Sequence, residues 1–176
     1  MTTNPTRKTL FIALFALCLS GFILPEGRQI PVAGATYKDW NPSSFWYTPW
    51  GRSGVHKGID IFAKEGTPVV ATTSGLVVYS GNIDMGGNVV LILGSKWRLY
   101  YYAHLKEISA RAGQWLNTGA VLGTVGSTGN AVGKPPHLHF AINSLFPLFS
   151  QYDPKLPQAW KLMFYIDPNA VLLNTD

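Results

Sequence analysis

His56 and Asp60 stand four residues apart in "GVHKGID" (residues 54–60), and three further histidines follow: His104 in "YYAHL", then His137 and His139 in "HLHF". Imidazole nitrogen and carboxylate oxygen are ligands that zinc accepts at about 2.0–2.2 Å. Residues two apart on a strand point to the same face, so His137 and His139 present their rings to one object. His56, Asp60 and one member of that pair supply three ligands. Three protein ligands leave a position for water, which separates a catalytic zinc from a structural one. Such a water has its pKa lowered to about 7, and the remaining histidines serve proton transfer or hydrogen-bond an oxyanion. Each residue alone has an ordinary alternative, a satisfied core histidine or an aspartate at a turn. All four histidines falling beside glycine turns or on one strand face points instead to a single metal site.

Such a set needs a scaffold, and from Gly66 onward the pattern is that of strands. "TPVVAT", "GLVVYSG", "GGNVVLILG", "RLYYYAHL", "AVLGTVGS" and "HLHFAI" have strand length and composition and are separated by turn residues. The expected fold class is all-β. Ser109–Trp115 holds either a helical turn or only a loop before "VLGTVG". Tyr100, Tyr101 and Tyr102 alternate on their strand, so at least one enters the core. Residues 1–24 form a signal peptide or N-terminal membrane anchor, 25–45 a linker and lead-in, and 46–176 the functional domain, with its core at 54–143. From Gln29 to about Gly54 the sequence is rich in Pro, Gly and aromatics with little periodicity, a linker passing into an irregular lead-in that includes "SSFWYTPWGR". An aromatic insertion, "SLFPLFSQYDPKLPQAWKLMFY" (144–165), breaks the strand pattern. Its plain reading is a loop packed back onto the sheet; its functional reading is a groove wall or partner surface.

Arg7 and Lys8 precede an apolar run from Leu10 to Leu24 that ends at Pro25 and Glu26. This run is long for a secretory core and short for a spanning helix, which needs roughly 17–25 residues. Cleavage after Ser20 leaves Phe22, Ile23 and Leu24 on the mature end, so an uncleaved anchor with Arg7 and Lys8 on the cytoplasmic side stands as the alternative. Bulky Leu17 before Cys18 argues against lipid attachment there. Cys18 is the only cysteine, so the exported part has neither a disulfide nor a cysteine-ligated metal. The 14 basic residues exceed the 9 acidic ones, giving +5; without Arg7 and Lys8 the surplus is +3, which is compatible with an anionic envelope polymer. The basic residues are scattered and form no stripe interleaved with aromatics, so nucleic acid is not an expected partner.

With "GVHKGIDIFAKEGTPVVATTSGLVVYSG", "GGNVVLIL", "LYYYAHL", "GQWLNTGAVLGTVGSTG" and "PHLHF" in this order, the sequence resembles the lysostaphin-type (LytM-like) zinc endopeptidases, which cut peptide bonds in bacterial peptidoglycan. The likeness spans roughly Tyr47–Phe140, with a looser match at "IDPNAVL", and an ordered set is more specific than any single motif. It implies an antiparallel β-sheet sandwich, related to the biotinyl and lipoyl barrel-sandwich, with short helical turns and loops around a groove. It also implies one Zn2+ held by His56, Asp60 and His139. His104 and His137 match the family's two catalytic histidines, which activate the water and stabilise the tetrahedral intermediate. Tyr47 matches a groove tyrosine that assists the oxyanion in some members. Two departures bear on groove shape: Ala141 stands where the family commonly has an acidic residue, and the segment 144–165 is inserted.

The function expected is zinc-dependent hydrolysis of cross-links or stem peptides of peptidoglycan, in the cell envelope, with membrane contact through the N-terminal segment if uncleaved. A non-catalytic or latent LytM-like module that binds wall peptides or activates a wall hydrolase is the alternative, and the complete ligand set argues against it. A biotinyl or lipoyl carrier needs a lysine at a hairpin tip between hydrophobic neighbours, and none has that setting. If the lead-in folds over the metal, Asn41 is the nearest side chain to take the open ligand position.

Overall fold

The computed structural model describes residues 5–173; the first four residues of the 1–24 segment and the last three of the chain lie outside the described residues. Within them the chain forms helix α1 (Pro5–Ile23) and nine strands: β1 (Ile59–Phe62), β2 (Pro68–Val70), β3 (Gly75–Ile83), β4 (Gly87–Gly94), β5 (Arg98–Ile108), β6 (Trp115–Leu116), β7 (Val121–Val125), β8 (His137–Ser144) and β9 (Tyr165–Ile166). Short helices α2 (Ala159–Leu162) and α3 (Pro168–Leu172) flank β9. The main path runs β1-β8-β5-β4-β3-β6; β7 pairs with β2 and β5, and β9 pairs with β8. All these pairings are antiparallel.

The six segments read as strands from sequence all form strands, and the fold is mainly antiparallel β with few helices. β1, β6 and β9 are additions to that reading. Ser109–Trp115 contains no helix; it is a loop that ends in β6.

Alternation sorts the strand residues between a core and a second face. Ile59 and Ile61 of β1, and Leu138, Phe140 and Ile142 of β8, are fully buried in one hydrophobic cluster with Tyr100, Tyr102 and Leu105 of β5. Full burial of each large apolar side chain contributes about 1.5–3 kcal/mol. The buried tyrosine hydroxyls have partners: Tyr102 accepts from the Thr72 amide at 2.9 Å, and Tyr100 donates to a Glu26 carboxylate oxygen at 2.5 Å. Asp60, His137, His139 and Tyr101 take the opposite parity.

β5 departs from this regularity at one point. Val90 of β4 pairs with Tyr102, but Asn88 pairs with Leu105, so three steps on β5 match two on β4. The extra residue is a β-bulge, and His104 within it has φ 63°. At the bulge β5 also changes neighbour: pairing with β8 ends at Ala103↔His139, and pairing with β7 begins at Leu105↔Val125.

The lead-in and the insertion are packed onto this framework. Val32 forms an isolated bridge with Val69 and, like Trp40, lies in the main core. Trp46, Val55 and Leu162 form a second apolar cluster flanked by Phe45 and Tyr165, and Trp46 Nε1 donates to the Pro157 carbonyl at 3.0 Å.

Helix α1 exposes Leu10, Phe11, Ile12, Leu14 and Phe15. It meets the domain near its C-terminal end, where Trp97 Nε1 donates to the Cys18 carbonyl at 2.8 Å and Phe22 stacks on Phe146. Among the described residues no helix is long and apolar enough to cross a membrane. Just beyond α1, Glu26 is held by Lys96, Arg98 and Tyr100.

Candidate metal centre

Register places the first two candidate ligands. Asp60 of β1 lies directly opposite His139 of β8, and Phe62 lies opposite His137. His56 precedes β1 on a loop whose close approach depends on Gly58: a Cβ there would fall 2.3 Å from the Phe140 carbonyl oxygen. The loop therefore lies against β8 and carries His56 onto Asp60 and His139.

His56 Nε2 is 3.1 Å from Asp60 Oδ1 and 3.1 Å from His139 Nδ1, and His139 Nδ1 is 2.8 Å from the same Asp60 oxygen. The chemistry of this set fits a cation. The Ser44 carbonyl, 3.0 Å from His56 Nδ1, can only accept, so Nδ1 carries a proton and Nε2 of the neutral ring is an acceptor. An acceptor nitrogen facing a carboxylate oxygen needs a positive charge between or upon them, either a second proton on the ring or a metal ion. One ligand atom from each of His56, Asp60 and His139 lies within 4.8 Å of the others, so the three can hold a metal ion.

The electrostatics favour the ligand forms. Burial alone would raise the Asp60 carboxyl, but hydrogen bonding and charge from His139, then His56, outweigh it and hold Asp60 far below the usual carboxylate range. Burial lowers His139, and the attraction of Asp60 does not reverse that. Both shifts run toward the forms that metal ligation requires, an ionised Asp60 and a neutral His139.

His104 and His137 flank the cluster. Their ring centroids are 5.1 Å apart, and that of His104 is 5.9 Å from His139. Each is anchored through Nδ1 to a backbone carbonyl, His104 to Thr128 at 2.9 Å and His137 to Pro135 at 2.7 Å. In the neutral form of either ring, Nε2 is left as an acceptor. Burial, reinforced by His139 and His137, pushes His104 down to about 4, so this ring is neutral near pH 7.

These groups open into a groove of about 740 Å³. Trp50 stacks on His56 with centroids 4.1 Å apart, Tyr101 stands edge-on to His139 at 6.2 Å, and Phe62 packs on His137 at 5.3 Å. Arg52, Lys57 and Lys134 also line the groove, whereas Asp60 is its only carboxylate among the described residues. From the inserted segment, Tyr165 reaches the lining.

The structure thus brings together His56, Asp60, His104, His137 and His139. Tyr47 stays outside: it is 54% exposed, touches the edge of Trp50 at 6.3 Å and does not line the groove. Asn41 is exposed, and its Oδ1 accepts from the Ser43 amide at 2.9 Å, capping the 3-10 turn Pro42–Ser44. Asn41 therefore does not reach the ligands, but it steadies the turn that supplies the Ser44 carbonyl to His56. That carbonyl, those of Thr128 and Pro135, and the Trp50 stack are not legible in the sequence. A backbone carbonyl leaves no mark in residue identity, and Trp50 was visible only as one aromatic among several in "SSFWYTPWGR".

An antiparallel β scaffold carrying a His–Asp–His ligand set beside two carbonyl-anchored histidines defines a candidate metallohydrolase centre. Residues 54–150 match Peptidase family M23, and the chain belongs to that family. It is 37% identical over 89 residues to lysostaphin of Staphylococcus simulans, a match covering 49% of this chain and 18% of that protein. It is 36% identical over 113 residues to the L-Ala--D-Glu endopeptidase of Bacillus subtilis, covering 59% of this chain and 35% of the relative. The chain thus spans well under half the length of these curated relatives. In structure it is similar to the catalytic domain of lysostaphin from S. simulans, with TM-score 0.58 and 29% identity over 72% of this chain and 86% of that one.

Proposed function

We propose that this chain is a zinc-dependent endopeptidase that cuts peptide cross-links or stem peptides of bacterial peptidoglycan in the cell envelope, with the N-terminal apolar helix serving as export signal or anchor. The observation that carries this reading is the convergence of His56, Asp60 and His139 on one point, with His104 and His137 beside it. Family membership supports the reaction class, and similarity to a peptidoglycan DD-endopeptidase of Vibrio cholerae, 34% identical over 112 residues, supports the substrate. The basic groove suits wall peptides that carry free carboxylates.

His56, Asp60 and His139 would hold the ion. When bound, zinc supplies a Lewis acid that polarises a carbonyl and makes water nucleophilic near neutral pH. The protein groups do the rest. Asp60 stays ionised, and the Ser44 carbonyl fixes the His56 tautomer so that Nε2 points inward. Neutral His104 accepts a proton at Nε2 without reorienting, because Thr128 holds its other nitrogen. His137, held in the same way by Pro135, stands where it can share the proton or hydrogen-bond the developing oxyanion. Trp50 and Tyr101 shape the walls that align the peptide.

The test is digestion of purified peptidoglycan by the chain before chelation, after chelation and after zinc restoration, with released muropeptides identified by mass. The reading predicts peptide-bond cleavage that disappears with the metal and returns with zinc. Cleavage indifferent to chelation, or none from a zinc-loaded chain, would refute it.

A further inference from the structure

Gln158, in the inserted segment just ahead of α2, has φ 56° and ψ 35°. That left-handed conformation is open to glycine and costs a residue with a side chain free energy. The side chain does not cap its own helix. Its Nε2 instead donates to the Ser53 carbonyl at 2.8 Å, across 105 residues of sequence, and its Oε1 is buried without a hydrogen-bond partner. A strained backbone and an unpartnered buried oxygen are both unfavourable, and glycine would remove both. What glycine could not supply is the bond to Ser53.

That bond holds one wall of the groove. Ser53 ends the turn Gly51–Ser53; its carbonyl also accepts from Lys57 Nζ at 3.0 Å, and its hydroxyl bonds to the Trp50 and Val55 carbonyls. Trp50 and Gly54 exchange backbone hydrogen bonds at 3.0 and 2.9 Å, closing the loop that stacks Trp50 on His56. Gly54, with φ 77°, faces the Gln158 amide closely: a Cβ there would lie 2.6 Å from Nε2. The neighbouring Pro157 carbonyl accepts from Trp46, so two consecutive residues of the insertion are tied to the segment that precedes His56.

We infer that Gln158 is a positioning residue: through Ser53 it fixes the loop that holds Trp50 against His56, and so makes the inserted segment a part of the substrate-binding wall. Its kinetic consequence rests on the endopeptidase reading, whereas its structural consequence does not.

The experiment uses the full zinc-loaded chain with Gln158→Gly and Gln158→Ala. Q158G removes the amide and relieves the backbone; Q158A removes the amide and keeps the strain. For Q158G we expect a melting temperature at or above that of the parent, unchanged zinc content, kcat within about twofold and KM for a cross-linked muropeptide raised about three- to tenfold. Q158A should show the same KM rise with a lower melting temperature. In both, hydrogen exchange of the residue 50–55 amides should quicken. Parent-like exchange there in both variants, or a parent-like KM in Q158G, would overturn the inference. Should the parent cut no muropeptide, the endopeptidase reading fails and the exchange result alone decides the role of Gln158.

Discussion

β8 and β5 run side by side, yet they deliver their histidines by opposite means. β8 is regular: Leu138, Phe140 and Ile142 enter the core, so His137 and His139 share the other face, and pairing with β1 sets Asp60 against His139. Strict alternation on β5 would send His104 the way of Tyr100 and Tyr102, into the core. The bulge and the positive φ of His104 turn the ring out toward His137 and His139. Regular pairing thus sets two of the three candidate ligands, Asp60 and His139, and a break in pairing sets a candidate proton-transfer group. Such breaks are where strain and function tend to coincide.

Activity should break the comparison most sharply. His139→Ala should abolish muropeptide release by removing a ligand. His104→Ala should lower turnover about 10²–10⁴-fold, the usual span for a positioned acid–base group. A turnover unchanged in His104→Ala would remove the bulge from the mechanism.

Stability should separate the two faces of β5. Tyr102→Phe leaves the buried Thr72 amide without its partner and should cost about 1–3 kcal/mol in urea unfolding. Tyr101→Phe, on the groove face, should cost less than about 0.5 kcal/mol. Equal losses would contradict the sorting of these neighbours.

Glu26 gives the core face a pH dependence. Burial would raise its carboxyl, but hydrogen bonds from Tyr100 and Lys96, together with the bond and charge of Arg98, hold it below its ordinary value of 4.5. The unfolded chain therefore binds more protons below about that pH, so the stability Glu26 contributes is present above 4.5 and is lost as pH falls through the lower folded value. Glu26→Gln should lower stability at pH 7 and flatten this acid dependence, as followed by melting temperature between pH 3 and 7. A variant with the same acid slope as the parent would assign the dependence elsewhere.

Asn41→Ala should have a smaller effect. Losing a cap costs typically about 1 kcal/mol, so zinc affinity should weaken by no more than about fivefold, through the Ser44 carbonyl that orients His56. Competition with a chromogenic chelator measures it. The smallest change belongs to Arg52→Ala: its pair with Asp84 is exposed on both sides, and stability should stay within about 0.5 kcal/mol.

The contrast between β8 and β5 also explains what could be read in the sequence. His137 and His139 were legible as a pair because a two-residue period needs only an intact strand. The face taken by His104 was not, because the bulge depends on β5 passing from β8 to β7, a long-range event with no local motif. β1 is a four-residue strand in which Ile59, Asp60 and Ile61 alternate in burial, and its place in the sheet is fixed by long-range pairing with β8 that no local motif records. Val32, Trp40 and Trp46 lie in a stretch without periodicity, yet tertiary packing buries all three. Family resemblance supplied His139 over His137 as a ligand; geometry now supplies an independent reason, since His139 stands opposite Asp60 and His137 does not.

The most direct test is zinc stoichiometry in three purified chains: the parent, His139→Ala and His104→Ala. One zinc per chain in the parent and in His104→Ala, with none retained by His139→Ala after dialysis, is the predicted result. Zinc kept by His139→Ala, or lost with His104→Ala, would contradict the division between a candidate ligand set by regular pairing and a candidate catalytic group set by the bulge.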